Sequence, residues 1–186
     1  HSYRYTSFQN FNRFRRQKYD ANNNLVEETT LAPNIIGNFV TPVVLNSIDA
    51  RRMVVGGAFG IFESFDRGDS FREVPGPAGA SIGVLGLDQT AMKVGGSRNG
   101  IENRALIYIG SGSEVFLRTS QDENLKLTQA QFPGGRIRDL TIDASNWANA
   151  YVVDRDDVYV TSNAGESWRQ VTGNLHVRGG GEVRSI

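Results

Sequence analysis

The chain has 186 residues, with 20 basic and 20 acidic side chains, no cysteine and only two histidines. Zero net charge removes any global attraction to nucleic acid or to an anionic membrane surface. The missing thiols exclude disulfides, thiolate catalysis and cysteine-bound metals, and no apolar stretch approaches the ~18–20 residues of a membrane-spanning helix. What remains is length enough for one domain with a sizeable core. Short apolar runs punctuated by 21 glycines predict an all-β protein.

In chain order, residues 3–19 come first. Arg4, Arg13, Arg15, Arg16 and Lys18 alternate with Tyr3, Tyr5, Phe8, Phe11, Phe14 and Tyr19, and no acid precedes Asp20. Such interleaving suits single-stranded nucleic acid. A charged edge strand whose rings pack on a neighbouring sheet gives the same composition and is the reading favoured here. Asp20–Asn38 reads as a long linker. Strands are predicted at Phe39–Leu45, Arg51–Gly57, Gly60–Phe65 and Arg72–Val74. In the next unit LGLD (Leu85–Asp88) reads as an inner strand, and the spacing leaves a 14-residue insert placed around KVGGSRNGIENR (Lys93–Arg104), which reads as a surface loop. The last unit predicts strands at Ile137–Ile142, Ala150–Asp154, Val158–Thr161 and Ser167–Val171. Gly179–Gly181 reads as a flexible connector, and Glu182–Ile186 as the opening of another inner strand. The chain runs from His1 to Ile186 in mid-pattern, as a piece of a longer protein would.

One eight-residue pattern returns. SFDRGDSF (Ser64–Phe71) and TSNAGESW (Thr161–Trp168) both read hydroxyl–x–Asp/Asn–x–Gly–x–Ser–aromatic. The physical logic is a tight reversal between two strands. The hydroxyl of Ser64 or Thr161 and the side chain of Asp66 or Asn163 bond backbone groups of the turn. Gly68 and Gly165 take positive φ at low cost, and Phe71 and Trp168 cover the turn with a ring. SQDENLKL (Ser120–Leu127) is a weaker copy, keeping Ser120 and Asp122 with Asn124 in the glycine slot and Leu127 in the ring slot. SFQNFNRF (Ser7–Phe14) is degenerate, keeping only the serine and the ring. The spacing from Asn46 to Ser64 is 18 positions, as is that from Asp143 to Thr161. Four-stranded units recurring every ~40–55 residues describe β-propeller blades. Residues 1–38 give an outer hairpin plus linker, 39–79, 80–135 and 136–181 three blades, and 182–186 the start of a further one. That is an incomplete all-β propeller of about three and a half blades. The plainer alternative is a β-sandwich with coincidental turns.

On these residues the chain resembles the BNR or Asp-box repeat propellers, whose signature is S/T-x-D-x-G-x-S/T-W/F. SFDRGDSF fills every slot, and TSNAGESW departs only at Asn163. The family includes sialidases, sortilin-type receptor domains, xyloglucan-cleaving glycoside hydrolases and a photosystem II assembly factor. The resemblance implies that the box lies between the third and fourth strands, away from the ligand face. Ser64, Asp66, Gly68, Phe71, Ser120, Asp122, Asn124, Thr161, Asn163, Gly165 and Trp168 are then structural. It also implies six to ten blades, so remaining blades of a parent protein or self-association would complete the ring.

No motif spells out a reaction. The Arg-Ile-Pro motif of sialidases is absent, since Arg136-Ile137-Arg138 is not one. Glycosidases of this family use two carboxylates across a cleft; Asp49, Asp88, Asp139, Asp143, Asp154, Asp156 and Asp157 are the acids on offer. Asp88 and Asp143 end equivalent strands and read as turn residues. Asp154-Arg155-Asp156-Asp157 falls between second and third strands, where the family presents ligand loops. With Phe59 it forms the candidate ligand face, drawn from Asp20–Asn38, Gly57–Gly60, Pro75–Ala80, Gly110–Ser113, Asp154–Asp157 and Thr172–Gly181. Clustered oxygens admit a loose calcium site there, opposed by Arg155. A solvated turn is the favoured reading, and no cofactor is expected. Arg67-Gly68-Asp69 spells an integrin-type tripeptide, but the turn already explains its glycine. The sequence leads to a binding or scaffolding module of a larger, secreted bacterial protein, extracellular or periplasmic, with a glycan or protein as ligand. The alternative is a fragment of an Asp-box glycoside hydrolase. Membrane is not expected as a partner, and nucleic acid is disfavoured.

Overall fold

The computed structural model describes residues 1–83, 91–175, 183, 185 and 186. Among these the only helical segments are the 3-10 turns Gln9–Phe11 and Pro77–Gly79, and no helix is long and apolar enough to cross a membrane. Fifteen strands form four antiparallel sheets. The first is β1 (Ser2–Thr6), β2 (Arg15–Tyr19) and β3 (Leu25–Thr30), in that order. The second is β4 (Val43–Leu45), β5 (Met53–Gly56), β6 (Ile61–Ser64) and β7 (Arg72–Glu73). The third is β8 (Met92–Arg98), β9 (Ile101–Ser111), β10 (Glu114–Arg118) and β11 (Lys126–Leu127). The fourth is β12 (Asp139–Ile142), β13 (Ala150–Val153), β14 (Val158–Thr161) and β15 (Arg169–Gln170).

The sheets stand face to face, and each gap is an apolar core. Phe11, Phe14 and Leu31 meet Met53 and Val55 between the first and second sheets. Val54, Ile61 and Val74 meet Met92, Ile107 and Ile109 between the second and third. Leu106, Tyr108 and Val115 meet Leu140, Ala150 and Val152 between the third and fourth. Successive residues of β5 and β9 therefore serve opposite cores, which is why their sequences are continuously apolar instead of alternating. Each such Val, Ile or Leu contributes roughly 1.5–3 kcal/mol of burial. Burial also pushes up the pKa of the Tyr108 hydroxyl, which is enclosed without a hydrogen-bond partner among the described residues. The turns after β4 and β12 bond β8: Ser47 N donates to Val94 O at 3.0 Å and Trp147 N to Ser97 O at 2.8 Å.

Three sequence expectations are revised. Lys93–Arg104 is not a loop, because β8 and β9 run through it as one long hairpin around Asn99-Gly100. Asn99 (φ 53°) and Gly100 (φ 76°) make the left-handed two-residue turn that matches strand twist. β8 fills the inner place expected for Leu85–Asp88, which lies outside the described residues. Asp20–Asn38 is not all linker either. Leu25–Thr30 is a strand that adds to β2, with Lys18 opposite Glu27 and Gln17 opposite Glu28. In Leu25–Thr30 the charges read as loop polarity pair across the strands; in Lys93–Arg104 Glu102 and Arg104 pair along β9.

The third revision concerns the weak copy. Val74 N bonds Ile61 O, Thr128 N bonds Val115 O, and Val171 N bonds Val158 O. The matching pairs Phe62–Glu73, Phe116–Leu127 and Tyr159–Gln170 fix the same register. Arg118, not Ser120, therefore occupies the place of Ser64 and Thr161. Ser120 falls in the place of Asp66, Asp122 in that of Gly68, and the fully buried Leu125 in that of Phe71. The copy is displaced by two residues from Ser120–Leu127, and neither Asp122 nor Asn124 has positive φ.

Candidate functional site

The two matching corners have one wiring. Ser64 Oγ donates to Asp66 Oδ1 (2.8 Å) and accepts Gly68 N (2.8 Å). Thr161 Oγ1 donates to Asn163 Oδ1 (2.9 Å) and accepts Gly165 N (2.8 Å). Ser70 N and Ser167 N close the turns on Asp66 Oδ1 and Asn163 Oδ1. Left-handed pairs, Arg67–Gly68 and Ala164–Gly165, reverse the chain. Trp168 reaches back to Ala130 O at 3.2 Å and sets its ring edge-on to Phe132, while Phe71 approaches Phe14. The Arg67-Gly68-Asp69 tripeptide is folded into this corner. Arg16 binds Arg67 O and Asp69 Oδ1, each at 3.0 Å.

The basic residues near the start have neighbours in the same way. Arg15 pairs with Glu28 and Lys18 with Glu27, and Arg4 lies over the Tyr19 ring. At the third corner Arg118, 2 % exposed, donates to both oxygens of the fully buried Glu63 at 3.0 and 2.9 Å. Arg52 donates to Glu63 Oε1 at 2.6 Å. An arginine in the hydroxyl slot thus ties the third sheet to the second.

The opposite face carries the turns between second and third strands and the linkers between sheets. Phe59, in the β5–β6 turn, is 68 % exposed. In the β13–β14 turn, Asp154 is buried. Its Oδ1 accepts Asp156 N (2.9 Å) and Asp157 N (2.7 Å), and its Oδ2 accepts Gly135 N (2.6 Å). Asp157 Oδ1 accepts Gln170 Nε2 (2.6 Å) and Thr172 Oγ1 (2.7 Å). Arg155 and Asp156 reach into solvent. Two of the three carboxylates are thus occupied by donors that fasten the turn to its linker and outer strand. Among the described residues no three His, Asp or Glu side chains are placed to hold a metal ion.

The other acids are also engaged. Asp139 Oδ1 accepts Leu140 N and its Oδ2 accepts Ile186 N. Asp143 Oδ1 accepts Ser145 Oγ and backbone N–H groups at Ser145 and Asn146. A hydrogen bond from Arg51 holds the Asp49 carboxyl below the usual range, and the Ser145 hydroxyl does the same for Asp143. A general acid needs the opposite shift. Asp88 lies outside the described residues.

Sequence reasoning missed the groove beside the β9–β10 turn. Ser113, Glu114, Thr128, Gln129 and Gln131 line a space of about 420 Å³ with Phe132 in its wall. Its polar groups come from a turn and from the linker leaving β11. They carry no pattern along the sequence; only the turn at Gly110–Ser113 pointed towards them.

No protein-family model matches the chain, and no curated protein does. Solved structures do. The GH74 xyloglucanase from Xanthomonas campestris is 17 % identical with a TM-score of 0.59, over 92 % of this chain and 32 % of that one. An ancestral GH74 enzyme is 16 % identical with a TM-score of 0.59, over 81 % and 20 %. A functionally unknown protein from Desulfotomaculum acetoxidans is 12 % identical with a TM-score of 0.53, over 91 % and 51 %. The chain spans between a fifth and about half of these proteins. At such identities the likeness concerns architecture alone: the four sheets are blades of an all-β propeller.

Proposed function

We propose that the chain is part of a glycan-binding propeller module of the Asp-box type, secreted, with its ligand at the groove beside the β9–β10 turn. The observation that carries this reading is the groove's lining. A hydroxyl pair, two carboxamides and one carboxylate converge on a space of ligand size, and sugar hydroxyls both donate to and accept from such groups. The engagement of Asp49, Asp139, Asp143, Asp154 and Asp157 in turns and backbone bonds supports binding over hydrolysis. Likeness to two GH74 enzymes favours, as a second reading, a portion of a glycoside hydrolase whose acids are completed outside this chain.

A glycan array followed by calorimetry tests the proposal. Retention of a β-glucan-type oligosaccharide is expected, weakened about tenfold by Glu114→Ala, the usual loss of one hydrogen bond to a charged group. Release of reducing sugar that Asp139→Asn abolishes would establish the second reading. A bound glycan indifferent to Glu114→Ala and to Gln131→Ala would remove the groove from the proposal.

A further inference from the structure

We infer that the groove beside the β9–β10 turn takes an amino sugar, with the protonated amine of the ring seated on Glu114. This rests on the glycan reading above and names the class of sugar within it. Among the described residues the Glu114 carboxylate has no hydrogen bond or ion pair. Most glutamates of the chain differ. Glu27, Glu28, Glu63 and Glu123 hold basic side chains, and Glu73 accepts the Ser81 hydroxyl. An acid left open in a groove of ligand size is a seat for a charge that the protein does not itself supply.

The rest of the lining adds no positive charge. Glu114 is its one charged residue, and it has neither lysine, arginine nor histidine. Next to Leu127 in β11, Lys126 has its Nζ on Glu123 at 3.3 Å, and strand alternation sends it to the face opposite Leu127. A cleft beside β7 shows the contrast. Asp122 there also lacks a partner among the described residues, but Arg72 and Arg118 share its walls and offset its charge. The groove at Glu114 keeps an uncompensated negative potential, which repels acidic sugars and draws a cation.

Hydrogen-bond polarity points the same way. The Thr128 hydroxyl donates to Ala130 O at 3.0 Å, so the oxygen it offers the groove can only accept. Glu114, when ionised, is acceptor-only as well. An ammonium has three hydrogens to donate and no lone pair with which to accept, so it matches both groups, whereas a sugar hydroxyl brings one hydrogen. Gln129 and Gln131 supply both senses and suit the hydroxyls of the same ring. The bond from ammonium to carboxylate is about twice as strong as a neutral one, which turns the match into a preference.

Calorimetry on the intact chain at low salt, where exposed charges are least screened, compares β-linked hexamers of glucosamine, N-acetylglucosamine and glucose. Below the pKa of the sugar amine, the glucosamine hexamer is expected to bind about tenfold tighter than the glucose hexamer. N-acetylation, or raising the pH through that pKa, should erase the advantage, since each removes the positive charge and leaves Glu114 ionised. Glu114→Gln keeps a carbonyl acceptor without the charge, so on that variant the glucosamine and glucose hexamers should bind alike. Should the variant fail to fold, the N-acetylated hexamer and the pH series carry the same test on the unaltered chain. A glucose hexamer bound as tightly as the glucosamine hexamer would overturn the inference and leave the glycan reading standing. A preference that survives Glu114→Gln would overturn it too, as would tri-lysine bound with the affinity of the glucosamine hexamer, which is attraction of charge without recognition of a sugar. Binding of none of the hexamers would remove the glycan reading and the inference with it.

Discussion

The corner at Ser64–Phe71 and the corner at Arg118–Leu125 occupy the same place in neighbouring sheets and are held in different ways. In the first a hydroxyl caps a glycine amide and a carboxylate closes the loop, so the bonds that close the turn are local. In the second the hydroxyl slot holds Arg118, whose bonds run to Glu63 in the adjoining sheet and to Ala105 in its own. The place in the fold is conserved while the chemistry is exchanged, from a self-contained turn to an inter-sheet ionic tie. The burial of Leu125, Phe71 and Trp168 against the preceding sheet is what the corners share.

The sharpest way to break this comparison is Arg118→Thr, which restores a hydroxyl to the slot. If the tie matters as argued, urea unfolding should show a loss towards the lower end of ~3–5 kcal/mol, the cost of stripping a partner from a buried ion. Arg52 remains on Glu63 and limits the damage. Little or no loss would mean that a local turn can replace the tie.

The glycines separate the two local corners. A Cβ on Gly165 would lie 2.3 Å from Thr128 Cγ2, whereas on Gly68 it would meet the end of Leu31 at 2.8 Å. Both positions have positive φ, so each alanine carries ~1–2 kcal/mol of backbone strain. Gly165→Ala adds overpacking of ~1–3 kcal/mol against a short, stiff side chain, which Leu31 relieves by changing rotamer. Melting should therefore fall further for Gly165→Ala than for Gly68→Ala.

Ser64→Ala and Thr161→Ala should each cost about 1–3 kcal/mol, since the Gly68 or Gly165 amide loses its acceptor in a buried setting. The same substitution at Ser120 should be near neutral, because Ser120 stands outside the hydroxyl slot.

The smallest expected effect is acidity. Burial alone would raise the Asp66 carboxyl, but hydrogen bonds from Ser70 and Ser64 outweigh it and hold it below its ordinary value. Its stabilisation is complete above the unfolded pKa, near 3.9, and is lost as pH falls through the lower folded value. Asn163 has no such transition. A step in the backbone shifts at Gly68–Ser70 that depends on Asp66 should appear between pH 5 and about 2 and vanish in Asp66→Asn. Asp66→Asn should make the two corners alike.

The legible part of this molecule was local. A hydroxyl, an Asp or Asn, a glycine and a ring at fixed spacing are read from sequence because the bonds of the hydroxyl and the Asp or Asn side chain that close the turn lie within eight residues. The strands of the second and fourth sheets were legible because double burial imposes unbroken apolar runs. Register within the third sheet was not: Ser120 and Asp122 imitate the pattern two residues late, and only the pairing of Phe116 with Leu127 reveals the shift. Likewise SFQNFNRF lacks the glycine, yet Asn10 and Phe11 adopt the left-handed pair because packing of Phe11 and Phe14 against Met53 outweighs the local strain.

By itself the sequence determined the repeat, the all-β class and the two hydroxyl corners, since those follow from near-neighbour hydrogen bonding and burial periodicity. Tertiary structure alone decided that the apparent inserts are strands, that Asp154 and Asp157 are spent on fastening a turn, and that Glu63 is shared across sheets. It also assembled the groove at Glu114 from segments with no common pattern. Each of those depends on which backbone edge or charged group meets another after the sheets stack, and separation along the chain does not encode that meeting.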